Sequence, residues 1–140
     1  MKIIYVITLS LLILLSGCAA TNDRILDVDN ETQLQKRNYQ SRIFDTSNKE
    51  KVLRATLSTL QDLGFVIDNA NFMLGSVSGT KLDRRNKIKI TVSVRPKGTD
   101  RMIVRANAQF NVSPVKDPKQ YQNFFISLEK SLFLTAHLGE

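Results

Sequence analysis

An alternation of side-chain types along residues 87–95 constrains the fold of this 140-residue chain more than any other feature of its sequence. From Lys87 to Arg95, every second residue is a β-branched aliphatic and every residue between them is polar or basic. Successive side chains of a β-strand point to opposite faces, so this pattern predicts a strand with one apolar face and one basic face. The apolar positions are Ile88, Ile90, Val92 and Val94.

The residues that follow predict a partner for this strand. Residues 96–100 (PKGTD) have the composition of a turn, and the alternation resumes at Arg101. The return strand places Met102, Val104, Ala106, Ala108, Phe110 and Val112 on one face. We therefore expect an antiparallel hairpin whose apolar face is buried against a second layer.

Two amphipathic helices are predicted, one before and one after this hairpin. Residues 47–50 (SNKE) match the S-x-x-E capping box, and Gly64 suits a left-handed C-terminal cap. Asp117 followed by Pro118 is typical of the start of a second helix. The apolar stripes of the two helices are Val52, Leu53, Thr56, Leu57, Leu60 and Leu63, and Tyr121, Phe124, Phe125, Leu128 and Leu132.

Shorter segments complete the predicted order of elements. Residues 39–46 and 65–68 favour strands, residues 69–71 have turn composition, and residues 75–81 favour a further strand. Gly79 inside that last segment indicates a bulge or the close approach of another backbone. The sequence thus predicts an α+β fold of order β-α-β-β-β-β-α, a two-layer domain whose antiparallel sheet is covered on one face by two amphipathic helices.

The N-terminus has the features of a secretory signal peptide. Lys2 precedes the run Ile3 to Leu15, which is apolar except for Thr8 and Ser10. Such a run extends about 20 Å as a helix, less than the hydrocarbon core of roughly 30 Å. A permanent transmembrane helix is therefore the weaker interpretation.

The motif Leu15-Ser16-Gly17-Cys18 closes this segment and resembles the lipobox of bacterial lipoproteins. The resemblance implies diacylglyceryl modification of the Cys18 sulfur, cleavage before Cys18 and acylation of the new amino terminus, and so a stable lipid anchor. A free or buried thiol after an ordinary signal peptide is the weaker alternative, because the only cysteine occupies the position that the lipobox requires. Ala19 in place of Asp implies the outer membrane in enterobacterial-type lipoproteins, with the domain facing the periplasm.

These features divide the chain into three parts. Residues 1–17 are predicted to be a lipoprotein signal peptide, residues 18–38 a lipidated tether, and residues 39–140 a single α+β domain. The tether is predicted because residues 19–38 are polar, mixed in charge and aperiodic.

No catalytic or metal-binding arrangement is recognisable in the sequence. One cysteine and one histidine exclude a disulfide framework and a Cys/His zinc cluster, and His137 lies close to the C-terminus. The segment GSVSG resembles a nucleophile elbow only superficially, because Val77 occupies the position of the serine. We therefore expect a non-enzymatic protein without metal or cofactor; an enzyme with an unrecognised site is the disfavoured alternative.

Basic residues concentrate in residues 81–105. The formal net charge is +7, and this segment has Asp83 and Asp100 as its only acids. The face exposed by the alternation and the turn beside it contain Arg84, Arg85, Lys87, Lys89, Arg95, Arg101 and Arg105. Two interpretations are evenly balanced: an ordinary solubilising surface, or contact with an anionic partner. Nucleic acid is not expected, because this face has no aromatic residue for base stacking and the periplasm lacks nucleic acid.

A lipidated tether followed by a small helix-on-sheet domain resembles accessory lipoproteins of cell-envelope machines. Examples are the helix-grip subunits of the β-barrel assembly complex and the lipoprotein plug of the lipopolysaccharide exporter, with a local likeness in LQDLGFVIDNANFMLGSVSGTK. The resemblance implies an envelope protein partner in an assembly or transport complex. The alternative is direct binding of lipopolysaccharide, acidic lipid or peptidoglycan through the basic face.

Overall fold

The computed structural model describes residues 33–138 of the chain. The predicted signal peptide, Cys18 and the tether as far as residue 32 lie outside the described residues. The elements, in chain order, are α1 (Gln33–Gln40), β1 (Ser41–Phe44), α2 (Lys49–Asp62), β2 (Val66–Asn71), β3 (Ser76–Asp83), β4 (Asn86–Lys97), β5 (Arg101–Phe110), β6 (Ser113–Pro114) and α3 (Pro118–Leu138).

The strands form one antiparallel sheet in the order β1-β5-β4-β3-β2, with the short β6 paired to β5. The predicted central hairpin is β4–β5, in which Val92 lies opposite Ala106 and Ser93 lies opposite Arg105. Helices α2 and α3 pack against each other and against one face of the sheet. The predicted α+β fold, with an antiparallel sheet in one layer and helices in the other, is confirmed.

The core lies between the sheet and the two long helices. Val92, Val94, Val104 and Ala106 of the central hairpin are each 0% exposed. Full burial of one Val, Leu or Phe side chain stabilises a fold by about 1.5–3 kcal/mol. The alternation in the sequence therefore accounts for a large part of what holds the two layers together. The helices contribute Val52, Leu53, Leu60, Tyr121, Phe124, Phe125 and Leu128 to this core.

Helix α2 begins one residue later than the predicted capping box. The N-cap is Asn48, whose Oδ1 accepts a hydrogen bond from the backbone N of Lys51 at 2.9 Å. The prediction of Ser47 as the N-cap was wrong. Asn and Ser are about equally favourable N-caps, so the sequence alone does not decide between the two positions. Glu50 forms an ion pair with Arg54, one turn further on, at 2.7 Å.

The other predicted helix boundaries are confirmed. Gly64 follows the C-cap of α2 and adopts a positive φ of 82°, which glycine tolerates at little cost. At the start of α3, the Asp117 carboxylate accepts a hydrogen bond from the backbone N of Lys119 at 2.9 Å. Both ends follow from local chemistry, and so the sequence sufficed to find them.

Strands β2 and β3 contain the irregularity that Gly79 predicted. Their register shifts between Ile67 and Asn69, so that Ile67 lies opposite Gly79 and Asn69 lies opposite Ser78. A Cβ atom on Gly79 would lie 3.0 Å from the backbone oxygen of Val66. The position therefore combines a bulge with the close approach of a second backbone.

Helix α1 was not predicted, and it takes up residues 33–38 of the expected tether. Tyr39, near its end, packs on Tyr121 of α3 with the ring centroids 5.3 Å apart. Gln40 Nε2 donates a hydrogen bond to the Tyr121 hydroxyl oxygen at 3.3 Å. These long-range contacts stabilise a helix that its polar, aperiodic sequence does not indicate.

The turn between β2 and β3 is displaced from its predicted place. Residues 69–71 pair with β3, and the turn consists of residues 72–75. Asn71 Oδ1 accepts a hydrogen bond from the backbone N of Leu74 at 2.8 Å, so Asn71 and not Asn69 begins the turn.

Strand β5 is shorter than predicted. It ends at Phe110 because Asn111 adopts a positive φ of 55° and its Oδ1 accepts a hydrogen bond from the backbone N of Lys87 at 2.9 Å. Val112 therefore lies in a turn and is exposed, and its assignment to the apolar face was wrong. Asn is one of the few residues other than glycine that accept this backbone conformation readily.

Candidate functional site

The face of the sheet opposite α2 and α3, hereafter the outer face, is open to solvent. On β4 and β5 its side chains alternate with those of the core. Lys89, Thr91, Arg105, Asn107 and Gln109 lie across its centre, and all five are exposed. Within the described part of the chain, the second layer thus leaves one broad sheet surface available for contacts.

All seven candidate basic residues lie on the outer face or in the turn beside it, and all seven are exposed. Strand β4 carries three of them, β5 carries two, and the β3–β4 turn carries the remaining two. In chain order they are Arg84, Arg85, Lys87, Lys89, Arg95, Arg101 and Arg105.

Lys89 and Arg105 lie across the centre of the outer face, and the other five basic residues lie towards its two ends. Lys87 lies near the start of β4 and Arg95 near its end, a separation of about 27 Å at about 3.3–3.4 Å per residue. The antiparallel register puts Arg101 opposite Lys97, at the same end as Arg95. Residues 84–85 belong to the opposite end. One small anion therefore cannot contact both groups, whereas an extended anionic surface or polymer can.

A depression of about 580 Å³ lies on the outer face and extends along β4 from Lys87 to Ser93. Lys87, Lys89 and Arg105 contribute cations to it, and Asp68 contributes its only carboxylate. Asp68 Oδ2 already accepts a hydrogen bond from the hydroxyl of Thr80 at 2.7 Å. Hydroxyl and amide groups come from Ser78, Thr80, Thr91, Ser93, Asn107 and Gln109. Cations among such groups suit a ligand that combines an anionic group with hydroxyls.

Most cations of the outer face lack a carboxylate partner, in contrast to Arg42 on the helix side of the sheet. Arg42 on β1 pairs with Glu129 of α3 at 2.8 Å, and its guanidinium lies 5.1 Å from the ring centroid of Phe125. On the outer face Arg101 approaches Asp100 only to 3.7 Å. Among the described residues, no carboxylate forms an ion pair with Lys87, Lys89, Arg95 or Arg105. Their charge is therefore available to a partner.

An apolar pair also lies on the outer face. The register of β1 puts Ile43, which is 41% exposed, directly opposite Ile103 of β5. Arg95 lies opposite Ile103 on the other side. The sequence contains the β-prone segment around Ile43, but nothing in it shows which strand that segment pairs with.

Among the residues whose side chains the structure describes, 33–133, no three His, Cys, Asp or Glu side chains approach closely enough to hold a metal ion. The buried hydroxyl of Tyr121 is engaged structurally: it donates to the backbone oxygen of Val115 at 2.9 Å and accepts from the backbone N of Ala108 at 3.2 Å. Its hydrogen bonds tie α3 to the sheet.

Comparison with protein-family models and with curated proteins found no match for this chain. None of the helices within residues 33–138 is long and apolar enough to span a lipid bilayer.

Proposed function

We propose that this chain is a non-catalytic bacterial lipoprotein that serves as an accessory or interaction subunit of a cell-envelope assembly or transport complex. In this proposal acylated Cys18 anchors it in the outer membrane, the domain faces the periplasm, and the outer face contacts an anionic surface of its partner. The observation that supports the proposal is a sheet face left uncovered by the described helices, on which most cations lack a carboxylate partner.

The anchor is tested by replacing Cys18 with alanine. Because the sulfur of Cys18 is the proposed site of diacylglyceryl attachment, the Cys18→Ala chain should lose acyl labelling and retention in the membrane fraction. Ser16→Ala keeps a small residue in the lipobox, and this control should leave both unchanged. Acyl label and membrane retention that survive in the Cys18→Ala chain would contradict the anchor.

A second candidate function is direct binding of an anionic envelope component, such as lipopolysaccharide, acidic lipid or peptidoglycan. The depression on the outer face favours it, because Lys87, Lys89 and Arg105 there lie among hydroxyl and amide groups. Lipid A phosphates and peptidoglycan carboxylates both occur beside sugar hydroxyls, which such groups could bind.

The second candidate function predicts direct binding that depends on the cations of the depression. The variant Lys87→Gln/Lys89→Gln/Arg105→Gln should weaken binding to lipopolysaccharide or acidic vesicles about a hundredfold at low ionic strength, at about 1 kcal/mol per cation. The control Lys51→Gln/Lys119→Gln/Lys130→Gln removes the same charge from α2 and α3 and should have a much smaller effect. Equal losses in both variants would mean that only net charge matters.

Affinity purification of the acylated protein from its own envelope tests the accessory role. If a protein partner binds the outer face, the depression variant should lose that partner while the control variant keeps it. If both variants still recover the partner, the partner binds the helices or a sheet edge and not the outer face. Loss of the partner by the unsubstituted protein at high salt would indicate an electrostatic contact, because salt screens exposed charges that lie farther apart than the Debye length of about 8–10 Å.

A further inference from the structure

Three consecutive large apolar side chains project from the turn between β2 and β3. Phe72 is 37% exposed, Met73 92% and Leu74 72%. Single exposed aliphatics are common on soluble proteins, but a run of three at the tip of a hairpin is a contiguous apolar surface. The core does not use these residues, and the proposed function does not use them either.

The backbone of this turn is held in place by its neighbours. Lys49 Nζ donates a hydrogen bond to the backbone oxygen of Met73 at 2.9 Å, and the guanidinium of Arg54 lies 5.7 Å from the ring centroid of Phe72. Gly75 has a positive φ of 70°, and a Cβ atom there would lie 2.5 Å from the backbone oxygen of Val94. The apolar tip is thus preorganised, which lowers the ordering cost of binding.

A basic hairpin lies beside the apolar turn. The backbone N of Val94 donates to the backbone oxygen of Gly75 at 2.8 Å, and β4 then continues to Lys97 before the chain returns at Arg101. This end of the domain therefore combines an apolar tip with more cations than carboxylates. The cations are Lys49, Arg54, Arg95, Lys97 and Arg101, and the carboxylates are Asp45, Glu50 and Asp100.

We infer that this end, defined by residues 72–74 and the hairpin of residues 95–101, docks on the surface of an anionic lipid bilayer. Apolar side chains that enter the interface, with cations at headgroup level, are the combination by which peripheral proteins bind membranes. A convex tip of three residues falls far short of the roughly 1,000 Å² that a stable protein interface buries. In a bilayer each inserted side chain contributes separately, by about tenfold in affinity.

The proposed lipid anchor makes a weak contact of this kind sufficient, and in this respect the inference rests on the proposed function. Fourteen residues separate Cys18 from Gln33, and they can span at most about 50 Å at about 3.3–3.6 Å per residue. That length allows either end of the domain to reach the bilayer that holds the acyl chains. An anchored domain also experiences its membrane at high effective concentration.

The absence of tryptophan from the chain permits a direct test with single-tryptophan reporters. Met73→Trp places the reporter at the tip, and Val112→Trp places a control at the opposite end of the sheet; the native side chains are 92% and 91% exposed. The acylated proteins are reconstituted in phosphatidylethanolamine–phosphatidylglycerol vesicles whose acyl chains carry bromine. We expect a shift to shorter wavelength and strong quenching for Met73→Trp, and neither for Val112→Trp.

Three results would overturn the inference. Equal quenching of both reporters would indicate nonspecific adsorption, and quenching of neither would exclude insertion. A shift of the Met73→Trp emission without bromine quenching would assign the tip to contact with another protein. Thermal melts of both reporter proteins verify that each is folded.

The role of charge is tested in the Met73→Trp background. Lys97→Gln/Arg101→Gln, or replacement of phosphatidylglycerol by phosphatidylcholine, should reduce bromine quenching severalfold. Unchanged quenching in both cases would contradict the assignment to an anionic surface. The intact mass reports acylation independently. If the protein carries no acyl chain, the proposed anchor fails, and quenching of Met73→Trp by added vesicles still decides whether the tip inserts.

Discussion

The two faces of the β4–β5 hairpin are built from alternate residues of the same strands and differ in burial and in charge. The inner face, with Val92 and Val104 fully buried, packs against the helices. The outer face, with Lys89 and Arg105, carries exposed charge and no described helix covers it. Because the buried side chains and the exposed charges belong to two different sets of residues, the outer face can change in sequence without loss of the fold.

The largest expected difference between the two faces is a difference in stability between aspartate variants at adjacent positions of β4. Val92→Asp buries an unpaired carboxylate between sheet and helices and should destabilise the domain by about 3–5 kcal/mol, or prevent folding. Ser93→Asp places the same group on the outer face opposite Arg105 and should change stability by less than about 0.5 kcal/mol. Urea midpoints of the two variants measure the difference.

Similar midpoints for the two aspartate variants would contradict the register of β4. A milder pair, Val92→Ala and Ser93→Ala, keeps the comparison informative if Val92→Asp does not fold. Val92→Ala should still cost about 1–3 kcal/mol through lost burial, and Ser93→Ala should be close to neutral.

The sequence predicts elements whose signal is local and misses those that depend on distant partners. The alternation around Val92 and the proline after Asp117 each specify an element by themselves, and both were found. Helix α1 is stabilised by contact between Tyr39 and Tyr121, which are 82 positions apart, and its own polar sequence does not indicate a helix. Asn48 and Ser47 are equivalent as caps, so that choice also depended on tertiary context.

The same division applies to the candidate site. The alternation alone assigns Lys89 and Arg105 to the outer face. The predicted strand also implies that Lys87 and Arg95 are about 27 Å apart, too far for one small ligand. The depression needs the pairing of four strands and the bulge beside Asp68. No local pattern in the sequence contains that information.

A second comparison of the faces is possible on β3, with a smaller expected effect. Gly79 faces the inner side, where an added Cβ would lie 3.0 Å from the Val66 oxygen and 3.3 Å from the Phe65 Cβ. Gly79→Ala should therefore destabilise the domain by about 1–3 kcal/mol through overpacking. Ser78→Ala, on the outer side of the same strand, is the matched control and should be nearly neutral. If Gly79→Ala has the same melting temperature as the native protein, the bulge is more adaptable than this geometry implies.

The smallest expected effect concerns the two arginines of the β3–β4 turn, which share a charge but not a backbone conformation. Arg84 has a positive φ of 55°, and Arg85 does not. A non-glycine residue in the left-handed region costs about 1–2 kcal/mol, whereas glycine elsewhere costs roughly 0.5–1 kcal/mol in chain entropy. Arg84→Gly should therefore be more stable than Arg85→Gly by about 1 kcal/mol, measured as the difference in thermal or urea midpoint.

Binding should respond differently from stability to this last pair. Each variant removes one cation from the same end of the outer face, so under the second candidate function both should weaken binding to lipopolysaccharide by a similar factor, about fivefold at low salt. Equal losses of binding with unequal stabilities would show that Arg84 is kept for its charge at the expense of the turn. If only Arg84→Gly weakened binding, its left-handed geometry would be aiming a specific contact. If neither did, the turn would lie outside the binding surface, and the depression around Lys87 would mark its limit.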